Sequence, residues 1–434
     1  MSPFVIGLIG FGALLLLFLI GVPIAFSMAL VGLAGFAYLV TPNAGFGLLV
    51  RDIFDQFTSY PLTVIPMFVL MGGYAFAAGI GRKLYQTTYT IMGQTKGGLA
   101  IASIWASAGF GAVCGSTSAT CATIGKVAIP EMRKYHYSDA MATGTIAAAG
   151  GLGIMIPPST TFIVYGILTE QSIGKLFISG IIPGILIATL FMFTVYIICR
   201  RNPAAGPSGP STTWKQKVKS LTGLTDTLIL FVLTIGGLFA GWFSPTQAGA
   251  IGCAGALVIG LARRELTWKG FMESSKEGLR ISCMILLLIA GATVFGHFIA
   301  VTRIPSALAD YAGSLPVPPW VIMASLYVFW FILGCFVDAM ALIVLLVPIF
   351  YPLIINLGFD PIWFGVMITV FSMIAVITPP VGVNVYVVKG LFKEVPLETI
   401  FKGIFPYLIP FTAATTLLIA FPQIATFLPR FITY

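Results

Sequence analysis

The stretch Ile154-Met155-Ile156-Pro157-Pro158-Ser159-Thr160-Thr161 sets two adjacent prolines and three hydroxyls inside an apolar segment long enough to cross a bilayer. Proline has no N–H and its ring clashes with the preceding turn, so a Pro-Pro pair stops a helix and leaves freed carbonyls in need of partners. In lipid such a break survives only where the backbone is buried in protein or faces a wet cavity. A second break stands at Ala375-Val376-Ile377-Thr378-Pro379-Pro380-Val381-Gly382-Val383-Asn384. Interrupted helices at corresponding places in two halves of a chain point to a transporter's binding region.

Composition supports a membrane setting. Of 434 residues 58% are hydrophobic and only 9% charged, against a charged share of about one quarter in soluble domains. Apolar runs of about 18 to 25 residues fit helices crossing a core of about 30 Å, and they lack the alternation of barrel strands. Spans are predicted at 3–20, 23–40, 61–80, 175–199, 226–243, 246–262, 281–300 and 404–426. Paired half-length arms fall at 98–114 with 118–131 and at 319–335 with 339–353, and broken spans at 138–168 and 361–388. The first run lacks a basic leader and an A-x-A site, so it reads as a retained helix. The six cysteines show no CxxC spacing and read as small core residues.

The two halves match. Pro23 pairs with Pro245, Pro157-Pro158 with Pro379-Pro380 and Pro183 with Pro406, always at an offset of 222 or 223, which marks an internal repeat. If each pair of arms forms a re-entrant hairpin, each half has an odd number of crossings, and the second copy lies upside down. The fold class that follows is an all-α polytopic membrane protein: an inverted repeat of about 11 transmembrane elements plus two re-entrant helical hairpins and two broken helices. The net charge of +9 then concerns orientation and not nucleic acid, because outside the spans only Arg51, Lys175, Arg303 and Arg430 fall on the face opposite the other basic residues. That places the basic face in the cytoplasm and both termini outside. Segments 51–59 and 263–280 are predicted interfacial amphipathic helices, and the Pro/Gly/Ser-rich tract after Arg200 is a predicted linker. The expected units are scaffold helices at 1–60 and 226–280, transport parts at 61–199 with the first hairpin and 281–434 with the second, and a cytoplasmic linker at 200–225.

Few ionisable groups lie at membrane depth, and each has a bland reading beside a functional one. Asp338 needs a counter-charge: it is either a cation ligand beside the Thr378-Pro379-Pro380 carbonyls or the cap of a half-helix. Gly115-Ser116-Thr117-Ser118-Ala119-Thr120 forms the first hairpin turn, suited to a cation, to an anion at helix N-termini, or simply to close helix packing. Lys126 is expected to snorkel toward the hairpin base. Arg303 either meets an anion or anchors at the interface, and His297 is either a proton relay or a satisfied core histidine. No P-loop, GxSxG or HExxH motif occurs, so no enzyme activity and no ATP site is expected.

At these residues the chain resembles the large membrane subunit of a tripartite ATP-independent periplasmic (TRAP) transporter over nearly its whole length. The resemblance is carried by Gly115-Ser116-x-Ser118-Ala119, Gly150-Gly151-x-Gly153-x-x-Ile156-Pro157-Pro158-Ser159, Gly334-x-x-x-Asp338 and Thr378-Pro379-Pro380-x-Gly382-x-Asn384. It implies an elevator in the bacterial inner membrane that co-transports two or more Na+ with a small organic anion: a carboxylate such as a C4-dicarboxylate or sialic acid, or a sulfonate. The implied partners are a small four-helix membrane subunit and a soluble periplasmic substrate-binding protein. The implied sodium positions are Ser116, Ser118, Pro157, Asp338 and Thr378, with Gly115, Ser159, Gly334, Pro379 and Gly382 beside them. The implied substrate positions are Ser116, Thr117, Pro158, Ser159, Val381 and Asn384, with Arg303 a looser match. A competing expectation is an ion-translocating subunit of a larger antiporter or respiratory complex, which would carry no organic substrate.

Overall fold

The computed structural model describes residues 1–431, which form helices and no strand; the last three residues of the expected 281–434 unit lie outside it. The first repeat opens with α1 (Pro3–Leu19) and α2 (Ile24–Leu39), followed by α3 (Pro42–Thr58), α4 (Val64–Ala77) and α5 (Ile80–Met92). The arms α6 (Gly98–Cys114) and α7 (Thr117–Lys134) come next, then the broken pair α8 (Asp139–Gly150) and α9 (Thr160–Leu168), then α10 (Ile173–Ser179) and α11 (Ile181–Arg201). After α12 (Trp214–Ser220), the second repeat begins with α13 (Thr225–Phe231), which passes through a π-helical turn into α14 (Gly237–Phe239). It continues with α15 (Pro245–Ala262), α16 (Trp268–Thr302), α17 (Ile304–Ser314), the arms α18 (Pro319–Gly334) and α19 (Ala339–Asn356), and the broken pair α20 (Pro361–Ala375) and α21 (Val383–Leu391). Finally come α22 (Leu397–Ala420) and α23 (Gln423–Thr426). Among the described residues, seven helical stretches are long and apolar enough to cross a membrane.

The packing exchanges the repeats. α2 lies along α16 while α15 lies along α4, and α7 lies against α21 while α19 lies against α9. Each pair is the other with the halves swapped, as a two-fold relation requires. Small residues permit the approach: a Cβ on Gly32 of α2 would stand 2.7 Å from the Phe295 nitrogen of α16, so only glycine lets these backbones meet.

Several expectations change. The segment expected as a separate interfacial helix at 263–280 is instead the start of one 35-residue helix, α16, capped by Thr267. In the first repeat Ser59-Tyr60-Pro61 separates α3 from α4; the second repeat has no proline between 268 and 302, so nothing ends the helix. At 1.5 Å per residue α16 is about 52 Å long, well beyond a hydrocarbon core of about 30 Å. α3 does form an amphipathic helix. Its nearly sealed Asp52 carboxylate meets His297 Nδ1 of α16 at 2.8 Å, so His297 pins α3 to α16.

The predicted linker is a bound strap rather than a loose tether. Gly97 N–H donates to Gly206 O at 2.8 Å, Gly209 N–H to Gly93 O at 2.8 Å, and Ser138 N–H to Ala205 O at 3.3 Å. Gln94 Nε2 donates to the backbone oxygen of Thr212 and, at 2.8 Å, to its hydroxyl. Extended Pro/Gly chain leaves its own amides and carbonyls unpaired, and the turns at the base of the first hairpin take them up. α5 and α17 were not foreseen, because each is too short and too polar to read as a span.

Candidate functional site: two hairpin tips on two broken helices

The first tip is built by a change of helix direction. α6 ends at Cys114, Gly115 turns at φ +67°, and Ser116 caps α7, its hydroxyl accepting from Ala119 N–H. A Cβ on Gly115 would stand 2.8 Å from Pro158 O, so this position needs glycine both for its left-handed backbone and for room. The tip is tied to the break: Gly115 O accepts from the Thr160 hydroxyl at 2.9 Å and from Thr160 N–H at 3.4 Å.

Within the first break the chain passes from α8 through a 3-10 turn over Gly151–Ile154 to the Pro157-Pro158 pair, and resumes as α9 with Ser159 as its cap. Ser159 Oγ donates to Ile154 O at 2.5 Å and accepts from Phe162 N–H at 3.3 Å, so one hydroxyl serves both broken ends. A Cβ on Gly153 would lie 2.5 Å from both Ser116 O and Thr120 Oγ1. These two oxygens therefore crowd the break backbone.

The second tip repeats the plan. α18 ends at Gly334, whose added Cβ would clash with that of Ala375 in α20. Asp338 caps α19, its Oδ2 accepting from Met340 N–H at 3.0 Å. Asp338 stands at the offset of 222 from Ser116, so both hairpins restart on a capping oxygen. Val381 N–H, just past Pro380, donates to Cys335 O at 3.1 Å. Each tip thus lends a carbonyl to the break it faces. Thr378 Oγ1 donates to Ile374 O at 3.2 Å and Gly382 turns at φ +50° to start α21.

The two centres differ in exposure. Gly115, Thr117, Pro157, Pro158 and Ser159 are buried and Ser116 and Ser118 half-buried, whereas Asp338, Pro379 and Pro380 are exposed, as is Phe336 beside them. Among the described residues no Lys, Arg or His forms an ion pair with Asp338. The cap reading of Asp338 is therefore geometrically realised, and its charge is left uncompensated.

Asn384 joins the centres. It follows the second break, yet its Nδ2 donates to Ala147 O of α8 at 3.0 Å and its carbonyl accepts from the Cys121 thiol of α7 at 3.7 Å. Its Oδ1 is fully buried and has no hydrogen-bond partner; the Thr120 and Thr161 hydroxyls are in the same position. Buried oxygens without donors are costly unless something positive meets them. Thr120 was visible only as the last residue of the Gly115–Thr120 turn; nothing in the sequence said that it faces Gly153. Arg303 is different. It is the single left-handed residue, φ +59°, between α16 and α17, its side chain is exposed, and no hydrogen bond or ion pair ties that side chain to the other site residues. No group of three or more His, Cys, Asp or Glu side chains that could hold a metal occurs among the described residues.

Re-entrant hairpins that meet interrupted helices inside an inverted repeat define a membrane permease. The tripartite ATP-independent periplasmic transporter model, DctM component, matches residues 11–424, and the chain belongs to this family as its large membrane subunit. It is 34% identical over 97% of both chains to a sialic acid TRAP transporter large permease of Vibrio cholerae. It is 33% identical, over 90% of this chain and 89% of the other, to a C4-dicarboxylate TRAP transporter large permease of Pseudomonas aeruginosa. A crystal structure of the Alcanivorax borkumensis YdaH transporter shares the fold at a TM-score of 0.63, with 16% identity, covering 88% of this chain and 89% of that one.

Proposed function

We propose that this permease imports a small organic anion, a carboxylate or sulfonate handed over by a periplasmic binding protein, and that two or more sodium ions enter with it. The observation that carries the sodium reading is a pair of buried oxygens without partners, Thr120 Oγ1 of α7 and Asn384 Oδ1 of α21, together with the Asp338 carboxylate, which accepts its cap bond from Met340 N–H and has no ion-pair partner among the described residues. Hard cations take carbonyl, hydroxyl and carboxylate oxygens. Ser116, Ser118, Gly115, Pro157 and Ser159 would surround one ion, and Asp338, Gly334, Thr378, Pro379 and Gly382 another. The anion would meet Ser116, Thr117, Pro158, Ser159 and Val381 between them; Asn384, which the resemblance places with the anion, commits its amide nitrogen to Ala147 O and has only its oxygen to offer, so it belongs on the cation side. Arg303 is retained only as an outer attractor.

The movement would be an elevator. We group α1, α2, α4, α15 and α16, which pack on one another, as the scaffold, which takes α4 and the second half of α16 out of the transport parts expected at 61–199 and 281–434, and we take the hairpins with the broken helices as the moving body. We place the joints at Gly79, φ +68°, between α4 and α5, and at Arg303, φ +59°, between α16 and α17. Single left-handed residues end one helix and start the next without a loop. Each excess positive charge carried across 100 mV supplies about 2.3 kcal/mol, so two support about thousandfold accumulation. The small membrane subunit and the binding protein complete the system.

The test is uptake into proteoliposomes holding this chain, its small subunit and its binding protein, with labelled sialic acid, succinate and isethionate as probes. Uptake of one probe that needs an inward sodium gradient is expected, and Asp338→Ala should abolish that dependence. Uptake that ignores sodium would sink the coupling; full sodium-dependent uptake by Asp338→Ala would remove that carboxylate from the site.

A further inference from the structure

Lys126 is the one basic residue placed within the transport part of the first repeat at membrane depth, and the sodium and substrate sites make no use of it. It is exposed, its Nζ stands 5.3 Å from the centroid of the Phe76 ring of α4, and no carboxylate pairs with it among the described residues; Glu131, one turn on, pairs instead with Lys134 at 3.6 Å. The residue sits ten positions after Ser116, about 15 Å along α7. Side chains on a helix lean toward its N-terminus, which in α7 is the tip. The ammonium therefore reaches back toward the site and across to α4, rather than down to the cytoplasm.

The surface between the tip and this lysine is open. Along α7 the residues Ser118, Ala119 and Ala122 are half-buried, while Cys121, Thr123 and Ile124 on the other sides are sealed. On α4 the facing Phe76 is likewise accessible, while Gly73 turns to Ser274 of α16, and α4 touches the tip itself, where a Cβ on Gly72 would stand 2.8 Å from Cys114 O. The strip runs from the tip to Lys126 over small side chains that offer little obstruction, and it ends at an unneutralised cation. Aromatic faces hold cations weakly, by about 0.5 to 1 kcal/mol where water has access, so a carboxylate or sulfonate would displace Phe76 readily.

We propose that Lys126 is a waypoint on the cytoplasmic exit path: it receives the anionic group of the cargo after the tips release it, and holds it between hairpin and scaffold before it enters the cytoplasm. This rests on the organic-anion reading above. A phosphate of the inner leaflet has the same chemistry, and it would be the natural partner only if this strip faced lipid.

The strip is tested without knowing the cargo. In inside-out vesicles holding the full transporter, Ala122→Cys is exposed to water-soluble methanethiosulfonates bearing either a sulfonate or a quaternary ammonium, and labelling is read at position 122 by peptide mass. The sulfonate reagent is expected to react faster. The ratio of the two rates should fall about tenfold in Lys126→Gln, as loss of one nearby charge implies, invert in Lys126→Glu and persist in Lys126→Arg. A position that neither reagent reaches places the strip in lipid and overturns the proposal, as does a ratio that ignores residue 126. Probe uptake in the proteoliposome assay reports separately on the anion reading, so the failure of one is distinguishable from the failure of the other.

Discussion

Thr120 is where stability and function pull apart. A buried hydroxyl without a partner costs about 1–3 kcal/mol, so Thr120→Val should leave the sodium-free protein as stable or slightly more so, while it takes an oxygen from the first tip. The expected outcome is an unchanged or higher melting temperature without sodium and at least a tenfold weaker sodium-induced rise, both read by thermal unfolding in detergent. An equal loss in both conditions would make Thr120 a packing residue only. Gly115 makes the opposite case. Its positive φ and the Pro158 oxygen 2.8 Å from a Cβ make Gly115→Ala destabilising by about 1–3 kcal/mol, with transport lost alongside. Both roles were half legible: the glycine and the hydroxyls stood out in sequence, but which oxygen lacked a donor depended on the backbone brought against it.

At the scale of elements, charges fasten the corners where helices meet. Asp226 of α13, nearly sealed, accepts from Arg263 Nε at 3.0 Å and Nη2 at 2.5 Å, and Lys83 of α5 stands 3.6 Å from its other oxygen and 2.7 Å from Glu265. Asp226→Ala would strand Arg263, while Lys83 keeps Glu265, at about 1–2 kcal/mol because Arg263 is half-exposed; a lower melting temperature that Arg263→Ala partly offsets is the expected signature. The strap gives a second check. Gln94→Ala removes both bonds to Thr212, so limited trypsin digestion should cut at Lys215, Lys217 or Lys219 several-fold faster. Arg133 draws together the base of the first hairpin, bonding Asp139 at 2.7 Å and Glu394 at 2.5 Å. Its guanidinium holds the Glu394 carboxyl below the usual carboxylate range. A lowered folded-state pKa means that this contribution is complete above the ordinary carboxylate range and is lost only as pH falls through the lowered value. Glu394→Gln should therefore leave stability unchanged in strong acid and reduce it slightly at neutral pH, as a pH series of melting curves would show. These fastenings escaped sequence reading because each joins residues 6 to 261 positions apart, and a charge pattern does not say which loop it meets.

At the scale of the molecule, the proposed elevator requires the first hairpin to slide past α4. A Cβ at Gly72 would lie 3.2 Å from the Cys114 Sγ but also 2.8 Å from the Cys114 carbonyl oxygen, so α4 or the tip must give by a few tenths of an ångström before Gly72→Cys closes an oxidant-dependent disulfide with Cys114, and the reduced variant, expected to transport, is the control. Oxidised protein is expected to lose transport almost completely and regain it on reduction. Transport that persists at full cross-linking would show that α4 and the hairpin move together, which rules out a joint at Gly79.

The sequence by itself determined the membrane class, the duplicated halves and both interruptions, and it marked the hairpins only as paired half-length arms. Each of these rests on local chemistry: apolar length sets a span, Pro-Pro ends a helix wherever it stands, and a constant offset of 222 or 223 survives any packing. Only the tertiary structure decided that 263–280 continues into α16, that the Pro/Gly tract is a bound strap, that Asn384 reaches across to α8, and that Arg303 is a corner residue. Those outcomes depend on which distant backbone supplies or withholds a hydrogen-bond partner. A helix continues until something stops it, a strap docks where carbonyls are free, and a side chain finds its role from what the other repeat places opposite it.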